Sequence, residues 1–215
     1  MIDYKEIRAF FYKHGYLLLA AAWLITIAFL INNYWLYYSS PEGVRTSLEK
    51  SIQKREAAFN RIADDNDLMQ QLLRRTYSDN TLKKLFGDKT GFYFFVFNED
   101  WEVFWNTNNA DPHISPRDYQ EGAYFFTNDS SDYELIKKNI GGLYPGQQSI
   151  IGLIPIKQKF FITNRYLPDQ YVGRPGINPA LYVLNREGKG LPVHNLEGNV
   201  LFYISHNNSH IKTNP

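Results

Sequence analysis

Between His14 and Glu42 no residue carries a charge, and "YLLLAAAWLITIAFLI" runs directly into "NNYWLYY". Hydrocarbon is ~30 Å thick and a helix rises ~1.5 Å per residue, so about 20 apolar residues cross a bilayer. Residues 16–38 meet that length and predict a transmembrane helix. Tyr34, Trp35, Tyr37 and Tyr38 gather at one end, with Phe11, Tyr12 and Tyr16 at the other. Such aromatic belts suit the two membrane–water interfaces. A cleaved signal peptide has an apolar core of only ~7–15 residues and ends in small side chains. This stretch is longer and ends in bulky rings, which favours a retained anchor. Lys5, Arg8 and Lys13 precede it, and Arg45, Lys50, Lys54 and Arg55 follow. These flanking charges choose no orientation.

Ser40-Pro41-Glu42-Gly43 breaks the apolar run. The segment after it, "VRTSLEKSIQKREAAFNRIADDNDLMQQLLRR", lacks Gly and Pro and is rich in helix formers. It predicts a long membrane-proximal helix over residues 44–78. Ile52, Arg55, Phe59, Ile62, Asn66, Met69 and Leu73 recur at spacings of three and four. That stripe serves equally as the seam of a two-stranded coil, making a homodimer, or as the buried face of a helix lying on its own domain.

Past Asp79 the pattern becomes short β-like runs. In "FYFFVFNEDWEVFWN" the polar knot Asn98-Glu99-Asp100 separates two apolar runs, and such residues suit a tight turn. A hairpin over 92–97 and 101–105 follows. It places Phe92, Phe94 and Val96 on one face and Tyr93, Phe95 and Phe97 on the other. Both sets are apolar, so both faces are expected to be covered. "SSDYELIKKNI" predicts a short helix capped by Ser131 or Asp132. "QQSIIGLIPI" predicts a strand buried on both sides, and "KQKFFITNRYL" a helix ended by Pro168. "ALYVLN", "LPVHN" and "VLFYIS" predict antiparallel strands around Gly-containing turns. The fold class is therefore α+β: one mostly antiparallel sheet over residues 80–205 with helices on one face. A polar tail, 206–215, and a short N-terminal segment, 1–15, complete the chain.

The formal net charge is +1, which gives no basic surface for nucleic acid. With no cysteine, disulfides, thiolate zinc sites and a cysteine nucleophile are excluded. No phosphate-binding loop, dinucleotide turn, GxSxG or HExxH motif occurs, and no catalytic residues are expected. His206 and His210 stand four apart without a third ligand close in sequence, so no metal or other cofactor is expected there. Asp111 and His113 lie in a polar loop that is either solvated or part of a site beside the hairpin.

One span, a long membrane-proximal helix and an α+β domain together resemble the extracytoplasmic input region of bacterial sensor histidine kinases. The domain resembles a PAS-like, Cache-type sensor. The resemblance rests on "FYFFVFNEDWEVFWN", similar to the strand-turn-strand that opens the central sheet in such domains. It rests also on "YPGQQSIIGLIPIKQKFFITNRYL", similar to the "Y…G…IGLIPIK…Y…N.YL" stretch of Bacteroidetes-type membrane kinases. It covers Tyr16 to about Ile204. It implies a cytoplasmic N-terminus, an inner-membrane anchor, a periplasmic domain, and a sensory role in a two-component system. The second span, dimerisation helix and ATPase domain of that family have no counterpart in these residues. The expectation is thus the input part of a histidine kinase; the alternative is a stand-alone anchored structural or interaction protein of the envelope. Sensors of this kind hold a small-molecule ligand against the sheet beneath loops such as 106–116. That makes Trp105, Asp111, Arg117, Tyr119 and Tyr144 the expected lining, with the Arg117 fork pairing a carboxylate and Asp111 accepting from an amine.

Overall fold

In the computed structural model, residues 4–38, 40–86, 90–108, 110, 114–128, 131–141, 147–158, 169–172 and 177–207 are described. The chain divides into two units, Met1–Val44 and Arg45–Pro215. The first is dominated by helix α1, Tyr4–Tyr38. Within it, Tyr12–Tyr38 is long and apolar enough to cross a membrane. Leu24 and Phe29 on it are exposed, at 68% and 67%. Thr26 donates its hydroxyl to the Ala22 carbonyl at 2.9 Å. That bond satisfies within the helix a group that an apolar surrounding would leave unpaired.

Helix α2 spans Pro41–Ala63 and is followed by α3, Asn66–Arg74, and α4, Asp79–Leu85. The single helix expected over 44–78 is thus two pieces, α2 and α3, with α4 beyond it, and cap chemistry is the reason. Asp65 takes extended backbone angles and its side chain accepts the Leu68 N–H, which starts α3. Arg75, at φ 57°, ends it, and Ser78 caps α4.

The central sheet has the order β2-β1-β5-β4-β3, with β6 paired to the end of β5. Its strands are β1 (Tyr93–Asn98), β2 (Trp101–Trp105), β3 (Gly122–Thr127), β4 (Ser131–Ile140), β5 (Gln148–Gln158) and β6 (Gln170–Tyr171). Every described pairing in it is antiparallel. A second, three-stranded sheet has the order β7-β9-β8, from β7 (Tyr182–Asn185), β8 (Leu191–His194) and β9 (Val200–His206). The expected hairpin and C-terminal strands are present, although the latter form a sheet of their own. "SSDYELIKKNI" corrects the expected helix: it is β4, hydrogen-bonded to β3 on one side and β5 on the other. The helix expected over "KQKFFITNRYL" begins on Lys157 and Gln158, which continue β5; residues 159–168 lie outside the described residues.

Strand alternation gives the central sheet two apolar faces. On the helix face Phe92, Phe94, Val96, Phe104, Ile136, Ile150 and Ile154 cluster with Phe59 of α2, Met69 and Leu72 of α3, and Leu85 of α4. On the opposite face Phe95, Phe97, Tyr133, Leu135, Ile151 and Leu153 are covered by Ala110, Ile114, Tyr119 and Tyr124. The stripe of α2 and α3 is therefore occupied within the chain. Ile52, Phe59 and Met69 are buried at 0–1% exposure, and Arg55 donates to the Pro155 carbonyl at 3.0 Å. Asn66 is exposed at the first position of α3.

Candidate functional site

The loop-covered face of the central sheet carries a small polar cavity. Its floor comes from β5, where Ser149 follows the alternation of Ile151 and Leu153 and so points to the loop side. The β1–β2 turn supplies Glu99, a left-handed residue at φ 56°, whose N–H donates to the Gln147 carbonyl at 2.8 Å. A 3₁₀ turn, Pro116–Asp118, supplies Pro116 and Arg117, and the Ser115 side chain caps it. Glu99, Pro116, Arg117, Gln147 and Ser149 line about 230 Å³. Arg117 reaches across the mouth to Asp100 at 2.7 Å, with both side chains largely exposed.

Lys137 holds the roof down. It sits on β4 opposite Ile151, is 3% exposed, and its ammonium donates to the Pro116 carbonyl at 2.6 Å and the Tyr119 carbonyl at 2.7 Å. No carboxylate pairs with it among the described residues. An ammonium has three donors, and burying a cation without a counter-charge is costly. The Ser149 hydroxyl is likewise buried without a hydrogen-bond partner among the described residues. An unused hydroxyl in the floor and a guanidinium at the mouth form an arrangement suited to a small anion, while Lys137, outside the lining, holds the Pro116 turn that covers it. The carboxylate of Glu99 adds an acceptor for a ligand ammonium.

Of the residues expected from sequence, Arg117 lines this cavity. Tyr119 is not in the cavity's lining: its carbonyl accepts from Lys137, and its ring packs edge-on against Tyr124 with centroids 5.4 Å apart. Trp105 is not among the cavity's described lining. It stands on the edge strand β2 at 44% exposure and donates its indole N–H to Asn108 at 3.0 Å. Asp111 and Tyr144 lie outside the described residues. Lys137 and Ser149 were missed. Reading 131–140 as a helix hid the alternation Tyr133, Leu135, Lys137, which places the lysine on the loop side. Among the described residues no three His, Asp or Glu side chains converge as a metal site.

The opposite face explains how such a cavity connects to α2. A Cβ on Gly152 would meet the Phe59 ring at 2.6 Å, so the helix rests on the β5 backbone. Ser149 in the cavity floor and Gly152 under the helix are three residues apart on one strand.

Comparison with family models, curated proteins and solved structures returns no match.

Proposed function

We propose that this chain is the sensory input region of a membrane signalling protein, of the two-component histidine kinase type, with the sheet domain outside the cytoplasmic membrane. One observation carries the reading: β5 forms the floor of the polar cavity and the seat of helix α2, and α2 follows the apolar helix α1 after a two-residue break. A small carboxylate bound by Arg117 and Ser149 would favour one position of β5 and of the roof that Lys137 fastens. A ligand shifts such an equilibrium only by its difference in affinity for the two states, typically ~1–3 kcal/mol of coupling. Helix α2 would pass the shift toward the membrane as a small slide or rotation.

The test fuses the full chain to a histidine-kinase output in membranes and screens small carboxylates. Ligand-dependent phosphorylation that disappears in Lys137→Met supports the proposal. Phosphorylation that stays constant with every compound, alongside specific capture of an envelope protein, would replace it with the anchored interaction protein.

A further inference from the structure

On the helix face of the central sheet lies a second polar feature, separate from the cavity. Glu134, in β4, has no exposed surface, and neither carboxyl oxygen has a hydrogen-bond partner among the described residues. It stands between Phe125 of β3 and Ile154 of β5. Ile136, two residues on, belongs to the helix-face core, so Glu134 shares that face. From α2 comes Glu56, 3% exposed, whose carboxylate accepts the Leu196 N–H at 2.6 Å.

Glu56 ends a row of clasps on one side of α2. Gln53 donates to the carbonyls of His194 and Asn195 at 3.4 and 3.2 Å. Glu49 accepts the His194 N–H and lies 3.0 Å from its Nδ1. These residues, spaced three and four apart, share one helix face. They fasten α2 to the turn between β8 and β9. Phe125 packs on Phe202 of β9 with centroids 4.9 Å apart, so Glu134 lies beside the junction of both sheets with α2.

Burial lifts the Glu134 carboxyl well above the usual carboxylate range, and the charge of Glu56 lifts it further. Burial also raises Glu56, opposed by the Leu196 N–H; Glu197 raises it and Lys138 lowers it. Lys138 is itself paired with Asp64 at 2.9 Å. Arg55 spends its guanidinium on the Pro155 carbonyl, Asp132 is held by Thr127, and Arg186 lies over the Phe125 ring and donates to the Phe125 carbonyl. None of these cations bonds Glu134.

We propose that the proton on Glu134 acts as a regulatory ligand of this clasp. With the proton in place, α2 holds the Leu196 turn through Glu56. When the O–H bond breaks and the proton passes to water, a buried charge on Glu134 adds to that of Glu56, itself buried on α2, and the turn lets go. The inference does not depend on the cavity or on a sensory role.

Amide hydrogen exchange at Leu196 tests it, on the full chain in detergent micelles between pH 5 and 9, corrected for intrinsic exchange. The opening equilibrium of wild type is expected to grow about tenfold per pH unit over part of this range, as one proton is released. Glu134→Gln, which stays neutral, should flatten that slope. Glu134→Leu, an apolar replacement of similar volume, should do the same without a buried amide. His194→Gln removes the imidazole of the turn and should leave the slope in place. A flat wild type, a slope retained in both Glu134 variants, or a slope lost only in His194→Gln would each overturn the proposal.

Discussion

The ring of Phe59 lies so close to Gly152 that a Cβ there would stand 2.6 Å from it. Helix α2 is thus seated on the bare backbone of β5, and Phe59 also meets Phe92 edge-on at 5.9 Å. Gly152→Ala forces a fully buried aromatic ring to move. Overpacking of this kind costs about 1–3 kcal/mol, and Phe59→Ala about 3–5 kcal/mol through the cavity it leaves. The denaturant midpoint should fall in both; an unchanged midpoint in Gly152→Ala would mean that the helix does not rest on this strand.

Asn106 ties the hairpin to the segment before it. Its side chain accepts the Phe94 N–H at 2.8 Å and donates to the carbonyls of Leu85 and Phe92 at 3.2 and 3.3 Å. It is 4% exposed, so Asn106→Ala strands buried backbone groups, each worth about 1–3 kcal/mol. Thermal unfolding should show a loss of about 2–4 kcal/mol by the same reckoning, larger than for truncation of the neighbouring exposed Asn108.

Arg117 and Asp100 form an exposed pair, and such pairs contribute about 0–1 kcal/mol. Arg117→Ala should leave stability nearly unchanged while lowering carboxylate affinity about tenfold, the effect of losing ~1.4 kcal/mol of binding. Calorimetric titration separates the two effects. Equal affinity in wild type and variant would remove Arg117 from the site.

Glu49 predicts an acid limb. Burial pushes its carboxyl up, but hydrogen bonds from His194 and the charge of Arg45 outweigh that and hold it below 4.5. A depressed folded value means that the contribution is present above the unfolded value and is lost as pH falls through the folded one. The group is partly open to solvent, so the contribution is under about 1 kcal/mol. Melting temperature followed below pH 5 should drop less steeply in Glu49→Gln than in wild type.

Helix α1 predicts membrane retention. The full chain should resist alkaline carbonate extraction, and removal of residues 12–38 should release it. Release of the intact chain by carbonate would rule out a spanning helix.

The hairpin was legible because a polar turn between two apolar runs has few other uses, and both faces of its first strand proved to be covered. β4 was not. Glu134 and Lys137 look like the solvated side of a helix, yet both are buried, one beside α2 and the other beneath the Pro116 turn. Arg117 was expected because the sensor resemblance points to the loops over the sheet and its fork suits a carboxylate, and it does line the cavity. Lys137 and Ser149 gain their meaning from strands that are distant in sequence. The stripe of α2 fitted two partners equally, since spacing specifies an apolar face and not what covers it.

By itself the sequence determined a long uncharged span, helical segments after it and the β-hairpin, because periodicity and turn chemistry act over a few residues. Only the tertiary structure decided that α2 lies on its own sheet, that residues 131–140 form a strand, and that Glu134 and Lys137 sit on opposite faces of it. Those outcomes depend on which distant surfaces exclude water together, and local spacing carries no record of that.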